Sequence, residues 1–225
     1  MPNPDPQDAS RRIYFSPIEV AKRLDELGLR EATLIRAAMT GIQYWLDATE
    51  HSCRTALGMI IWNFSNQALR DLLISERWSK DSTLNYELPI HPSGSHAIVV
   101  SSGDKHTGDK DHTPCTNEKG KCTKDAIERN LQLSFAKVSP HDFWPNDEES
   151  PEIWVLLYHI DAKKEEVRLE LSQPDGLNAD DEINSWSERI ILTVQPFGVV
   201  PATKTDKDDD EDSDEIDFDV GRKAV

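Results

Sequence analysis

Two histidines and two cysteines fall within a polar stretch that carries scarcely an apolar side chain: His106, His112, Cys115 and Cys122. Neutral imidazoles and thiolates are zinc ligands, so the four make a candidate zinc set. Their spacing, His-x5-His-x2-Cys-x6-Cys, is not a standard finger arrangement. Two other chemistries use the same thiols. Lys119, Lys121 and Lys124 lie around them, and neighbouring cations favour a reactive thiolate. Alternatively, Cys115 and Cys122 close a redox-sensitive loop disulfide. The plainest reading is that all four are ordinary polar loop residues. Lys105, His106, Lys110, His112, Lys119 and Lys121 together give the stretch a surface suited to an anionic ligand or partner.

Other catalytic patterns are thinner. Gly103 and Gly108 have the gap of a P-loop, but Asp109 and Lys110 follow where Lys and Ser/Thr are required, and Asp repels phosphate. Gly-x-Ser-x-Gly, His-Glu-x-x-His and Gly-x-Gly-x-x-Gly do not occur. His159 with Asp161, or Arg168 with Glu170, could point from strands into a site. Alternating charge is, however, what the wet face of any antiparallel sheet presents. Metal-assisted phosphodiester chemistry through Asp104, Asp109 or Asp111 is not selected by their spacing.

The elements that position these residues are legible on either side. Ile153 to Ile160 is almost continuously apolar, as in a strand buried on both faces. Val167, Leu169 and Leu171 alternate with Glu166, Arg168, Glu170 and Ser172, which predicts a strand with one wet face. Pro174-Asp175-Gly176 breaks that strand, and Trp186 to Val194 supplies a third run ended by Pro196. Such short connections predict an antiparallel meander. His96 to Ser101 reads as a short strand. Thr123 is placed to cap a short helix through Asn130, after which Leu131, Leu133 and Phe135 alternate as another strand.

Upstream, Ser16-Pro17-Ile18-Glu19 is a helix start and Gly28 a stop. Leu34, Ile35, Ala38, Met39, Ile42, Trp45 and Leu46 give one apolar face to a helix over residues 30–49. Gly41 sits inside it at a modest cost in helix propensity. A third helix is predicted over 53–78, with Leu57, Ile60, Ile61, Phe64, Ala68, Leu72 and Leu73 as its buried stripe. The short link between the two long helices predicts an antiparallel αα-hairpin, with Trp45 and Trp62 as core anchors. The fold class is therefore α+β: N-terminal helices packed on a C-terminal, mostly antiparallel β-sheet. Residues 1–12 read as a flexible N-terminus. Residues 13–200 read as one domain, helical over 13–79 and β-rich over 80–200 with the long loop at 102–124. A disordered acidic tail occupies 203–225.

Charge separates the parts. The chain of 225 residues carries −17, and residues 203–219 hold ten acids against Lys204 and Lys207. The remaining body is only mildly acidic, which argues against direct nucleic-acid binding by it. The tail has too little apolar surface to offset its ordering entropy. Ile216 and Phe218, set among acids, suit a peptide that docks on a basic, apolar-pocketed protein partner. Up to Phe218 the segment loosely resembles the acidic, Phe-ending tails of bacterial single-strand-DNA-binding proteins, whereas Gly221 to Val225 departs from that ending. Three cysteines, no signal-peptide pattern and no apolar run of membrane length predict a soluble cytoplasmic protein with no membrane association. The expected function is partner binding through the tail and the loop. The alternative is an enzyme acting on a phosphate-containing substrate with its site in the 102–124 loop and zinc as the candidate ion.

Overall fold

The computed structural model describes residues 11–49, 51–81, 88–135 and 151–196. The acidic tail, with Ile216 and Phe218, lies outside them, as do the first ten residues. The first strand, β1 (Arg12–Tyr14), begins inside the segment expected to be flexible. Ser16 then caps α1 (Pro17–Glu26): its hydroxyl accepts from the Glu19 amide, and Gly28 follows in the left-handed region at φ 65°. The long pair is α2 (Glu31–Asp47) and α3 (Arg54–Ile74). Gly41 does more than lower propensity. A Cβ there would collide with the Ser65 side chain and the Ile61 carbonyl, so the glycine sets the close approach of the two helices. The buried row of α3 is correspondingly Ile61, Ser65, Leu69 and Leu73, while Leu57, Ile60, Phe64, Ala68 and Leu72 are only half-buried. Trp45 and Trp62 are half-buried too, with Trp45 packed against the core.

The remaining elements are β2 (Ser79–Asp81), β3 (Leu88–Ile90), β4 (His96–Ser102), α4 (Lys121–Phe135), β5 (Glu152–Asp161), β6 (Glu166–Leu177), β7 (Ile183–Ile191) and β8 (Gln195–Pro196). They form one eight-stranded sheet in the order β1-β7-β6-β5-β4-β3-β2, with β8 pairing β6. The expected meander is β5-β6-β7, antiparallel throughout. Two pairings are parallel, β4 with β5 and β1 with β7. A parallel neighbour requires a long crossover, and between β4 and β5 that crossover carries α4.

Five expectations are corrected along this stretch. Leu131, Leu133 and Phe135 do not form a strand; α4 runs on through them. It begins at Lys121, with Gly120 accepting from the Thr123 and Lys124 amides, so Thr123 lies inside the first turn. Asn130 is an anchor, not a stop: its amide nitrogen donates to Ile153 O and Pro174 O, and its oxygen accepts from Ile153 N. Nor does Pro174-Asp175-Gly176 end β6, which passes through those residues with register shifts. Proline and glycine there serve bulges. The third strand starts at Ile183 and stops at Ile191, three residues earlier at each end than predicted.

The sheet is covered on both sides. One face packs on α1 to α3 through Ile98, Val100, Trp154, Leu156, Leu169, Leu171 and Ile190. The other meets α4 through Ala97, Val99, Ile153, Val155, Trp186, Ala126 and Ile127. This double cover is why β5 is apolar at nearly every position.

At the helix-facing end of β4, His96 is buried, with Nε2 against Leu27 O at 3.0 Å and Nδ1 against Ser95 Oγ at 2.9 Å. Burial, helped by the stacked His91 ring, lowers its pKa from 6.5 to about 4. The folded state thus resists a proton that the unfolded chain accepts. Stability that is complete above pH 6.5 should fall as the pH drops toward 4, by about 2 kcal/mol between pH 7 and pH 5. Urea unfolding of the native chain and of His96→Gln at both pH values checks this. A native chain no more acid-sensitive than the variant would refute it.

Candidate functional site

The charged face of β6 was expected to be wet. It is not: Glu170 and Ser172 are fully buried, because the segment between β4 and α4 folds back across that face. The covered carboxylate is matched from the next strand. Arg189 of β7 donates from Nε to Glu170 Oε1 at 3.1 Å and from Nη2 to Glu170 Oε2 at 2.6 Å. Ser172 Oγ adds a bond to Glu170 Oε1 at 2.7 Å. Two charges removed from water need this level of satisfaction to be tolerated.

The remaining valences of the pair reach into the covering segment. Gly108 N donates to Glu170 Oε2 at 2.9 Å, Arg189 Nη1 to His112 O at 2.8 Å and Arg189 Nη2 to Asp109 O at 3.0 Å. Gly108 has φ 73°, and a Cβ on it would crowd the Arg168 side chain. Further along, Trp186 Nε1 donates to Pro114 O at 2.9 Å and His159 Nδ1 contacts Gly103 O at 3.2 Å. Thr116 exchanges bonds with Ile183, and Lys119 N donates to Asp181 O. The stretch read as a long polar loop is therefore an ordered layer tied to three strands. His159 and Glu170, read as side chains that could enter a site, are fasteners of that layer. Asp161 instead accepts from Lys164 N in the hairpin turn.

The predicted zinc set is only half assembled. His106 and His112 stack with ring centroids 4.8 Å apart. Cys115 is elsewhere: its free thiol points to Glu182 Oε2 at 3.4 Å. Burial first, then the Glu182 carboxylate, pushes that thiol up to about 11, opposite to the activation expected from nearby lysines. A free Cys115 also excludes the loop disulfide in this state. Cys122 lies in the first turn of α4, and its side chain is outside the described residues. The third member is one that no finger spacing suggests. Asp109 sits between the two rings in sequence, and one ligand atom from each of His106, Asp109 and His112 lies within 4.8 Å of the others. Asp109 Oδ2 is 2.8 Å from His112 Nδ1, and its Oδ1 accepts from Asp111 N at 2.9 Å. These bonds hold its carboxyl below the ordinary carboxylate range. The signal available in the sequence was the His-x2-Asp-x2-His spacing, which places three donors on one tight turn.

The lysines divide as well. Lys105, Lys110 and Lys121 are exposed, whereas Lys119, assigned to the partner surface, is buried. Lys110 pairs with Asp111 at 2.7 Å and Lys124 with Asp181, so much of the expected positive surface is neutralised locally. A groove of about 340 Å3, lined by Trp62, Asn66, Arg70 and Lys80 among others, lies on the α3 side of the sheet, away from this loop. No helix among the described residues is long and apolar enough to cross a membrane.

No family model, curated protein or solved structure matches the chain. What the fold and the site define, among the described residues, is an α+β arrangement of four helices and one mostly antiparallel eight-stranded sheet. Its polar face carries an immobilised loop displaying two histidines and an aspartate.

Proposed function

We propose that the protein is a cytoplasmic, non-enzymatic binding protein that docks a protein partner through the 103–120 loop face and the acidic tail. The observation that supports this is the state of the loop. It is fastened along its length to the sheet by Glu170, Arg189, Trp186 and His159, yet His112, Lys105 and Lys110, with Lys121 at the adjoining start of α4, remain exposed. A fixed, outward-facing surface costs little ordering entropy on binding. The tail contributes Ile216 and Phe218 as apolar contacts and its acids as long-range attraction for a basic partner.

Pull-downs with the full chain and with a chain ending at Ala202 test the proposal. The shortened chain should keep its thermal midpoint and lose a partner that the full chain retains at low salt and releases at high salt. Lys105→Glu with Lys121→Glu should weaken the same partner. Identical sets of bound proteins from all three chains would end this reading. One feature favours the enzyme alternative, the imidazole and carboxylate groups of His106, His112 and Asp109. Hydrolysis of a model phosphodiester in the presence of Zn2+, lost with His106→Ala, would replace the binding proposal.

A further inference from the structure

We propose that His106, Asp109 and His112 form a binding site for one borderline divalent metal ion, with zinc the best match. The site stands on the loop's geometry and does not depend on the partner-binding reading. Two imidazoles and one carboxylate are a donor set for Zn2+, Co2+ or Ni2+, and leave at least one position for water. Magnesium and calcium, which require mostly oxygen ligands, are poorly matched.

The three donors are already close together and are held from beneath. Zinc places its ligand atoms at about 2.0–2.2 Å, hence about 3.3 Å from one another in a tetrahedral site. Here they already lie within 4.8 Å, a gap that side-chain rotation closes without moving the backbone. That backbone is fixed from beneath. Arg189 bonds the carbonyls of Asp109 and His112, and Glu170 bonds the amide of Gly108 between His106 and Asp109. His106 is held by its amide on Asp104 Oδ1 at 3.0 Å and by its carbonyl, which accepts from Asp109 N. A buried ion pair thus anchors the turn that carries all three ligands. Arg189 and Glu170 are positioning residues for the metal.

Cys115 is held apart from the site on separate grounds. Cys115 donates toward Glu182 and Thr116 O and is not among the three side chains whose ligand atoms converge. A thiolate ligand would give a metal-bound Co2+ form an intense sulfur-to-metal charge-transfer band, whereas imidazole and carboxylate ligands give only d–d absorption.

The test uses the full-length chain, freed of metal with a chelator and titrated with Zn2+ by calorimetry and with Co2+ by visible spectroscopy. One equivalent should bind, with a Co2+ d–d spectrum and no sulfur band. His106→Ala, Asp109→Ala and His112→Ala should each weaken binding at least 10-fold, and Cys115→Ser should leave it unchanged. All three substitutions are on a polar surface turn, and circular dichroism melts of the metal-free forms confirm that each is folded. Arg189→Met should also weaken binding while retaining the d–d spectrum, since it loosens the turn and removes no ligand. Two outcomes overturn the proposal: no Zn2+ binding above that of the His106→Ala/His112→Ala double variant, or binding lost with Cys115→Ser and kept with His112→Ala. Adventitious binding to the tail acids would show as the first of these.

Discussion

Arg189→Met should lower the free energy of unfolding by about 3–5 kcal/mol, a large effect for a residue on a segment that reads as polar. The guanidinium is almost fully buried and makes four bonds, two to Glu170 and two to loop carbonyls. Methionine fills similar volume but leaves the Glu170 carboxylate in the interior with no cation against it. It also strips donors from Asp109 O and His112 O. The fully buried Glu170 carboxylate, left without its cation, carries most of the desolvation penalty. The partner experiment is Glu170→Met with Arg189→Met, which removes both charges. Replacing both members of a buried pair by apolar groups is often close to neutral, so the double variant should recover a substantial part of the loss. It should not recover all, since Gly108 N, Asp109 O and His112 O still lack partners. Urea midpoints for the two single variants and the double give the coupling directly. A loss below about 1 kcal/mol in Arg189→Met, the range of an exposed pair, would mean that the loop does not close over these residues in solution.

Leu156→Ala should cost about 2–5 kcal/mol. Leu156 lies in the middle of β5, paired across to Leu171 on one side and Val100 on the other, with no exposed surface. Its side chain belongs to the layer between sheet and helices. The strands on both sides are themselves hydrogen-bonded neighbours, so the space left by the missing atoms cannot collapse easily, which favours the upper part of the range. Ile18→Ala is the control: Ile18 is 83% exposed, and its change should stay within about 0.5 kcal/mol. Equal unfolding midpoints for the two variants would contradict the placement of β5 at the centre of the sheet.

The two predictions concern neighbouring strands of one sheet, β5 for Leu156 and β6 with β7 for the ion pair, yet only one was readable along the chain. Leu156 announces its burial locally, since an apolar run flanked by turn residues has few other uses. Glu170 announces the opposite: in sequence it is a charged member of an alternating pattern, and alternation implies a solvent-facing side. Arg189 stands only at the head of an apolar run. What reverses this is a segment about 60 residues from Glu170 in the chain, whose own composition gives no sign of packing. The same ambiguity misplaced Leu131 to Phe135. Five residues of alternation cannot be told from a helix end by pattern alone.

The sequence by itself determined the elements whose signals are local: the Ser16 cap, the stop at Gly28, the long helical pair, the doubly buried β5 and the β5-β6-β7 meander. Capping, glycine conformation and hydrophobic period act over a few residues, so a few residues suffice to read them. Tertiary structure alone decided the contents of the site. It brought Asp109 rather than a cysteine to His106 and His112, turned Cys115 toward Glu182, and placed Arg189 beneath the loop. The last two of those choices depend on bonds between residues distant in the chain, and those of Arg189 hold the turn on which the local His106-Asp109-His112 spacing sits. Such a bond has worth only after the sheet has removed its donors and acceptors from water.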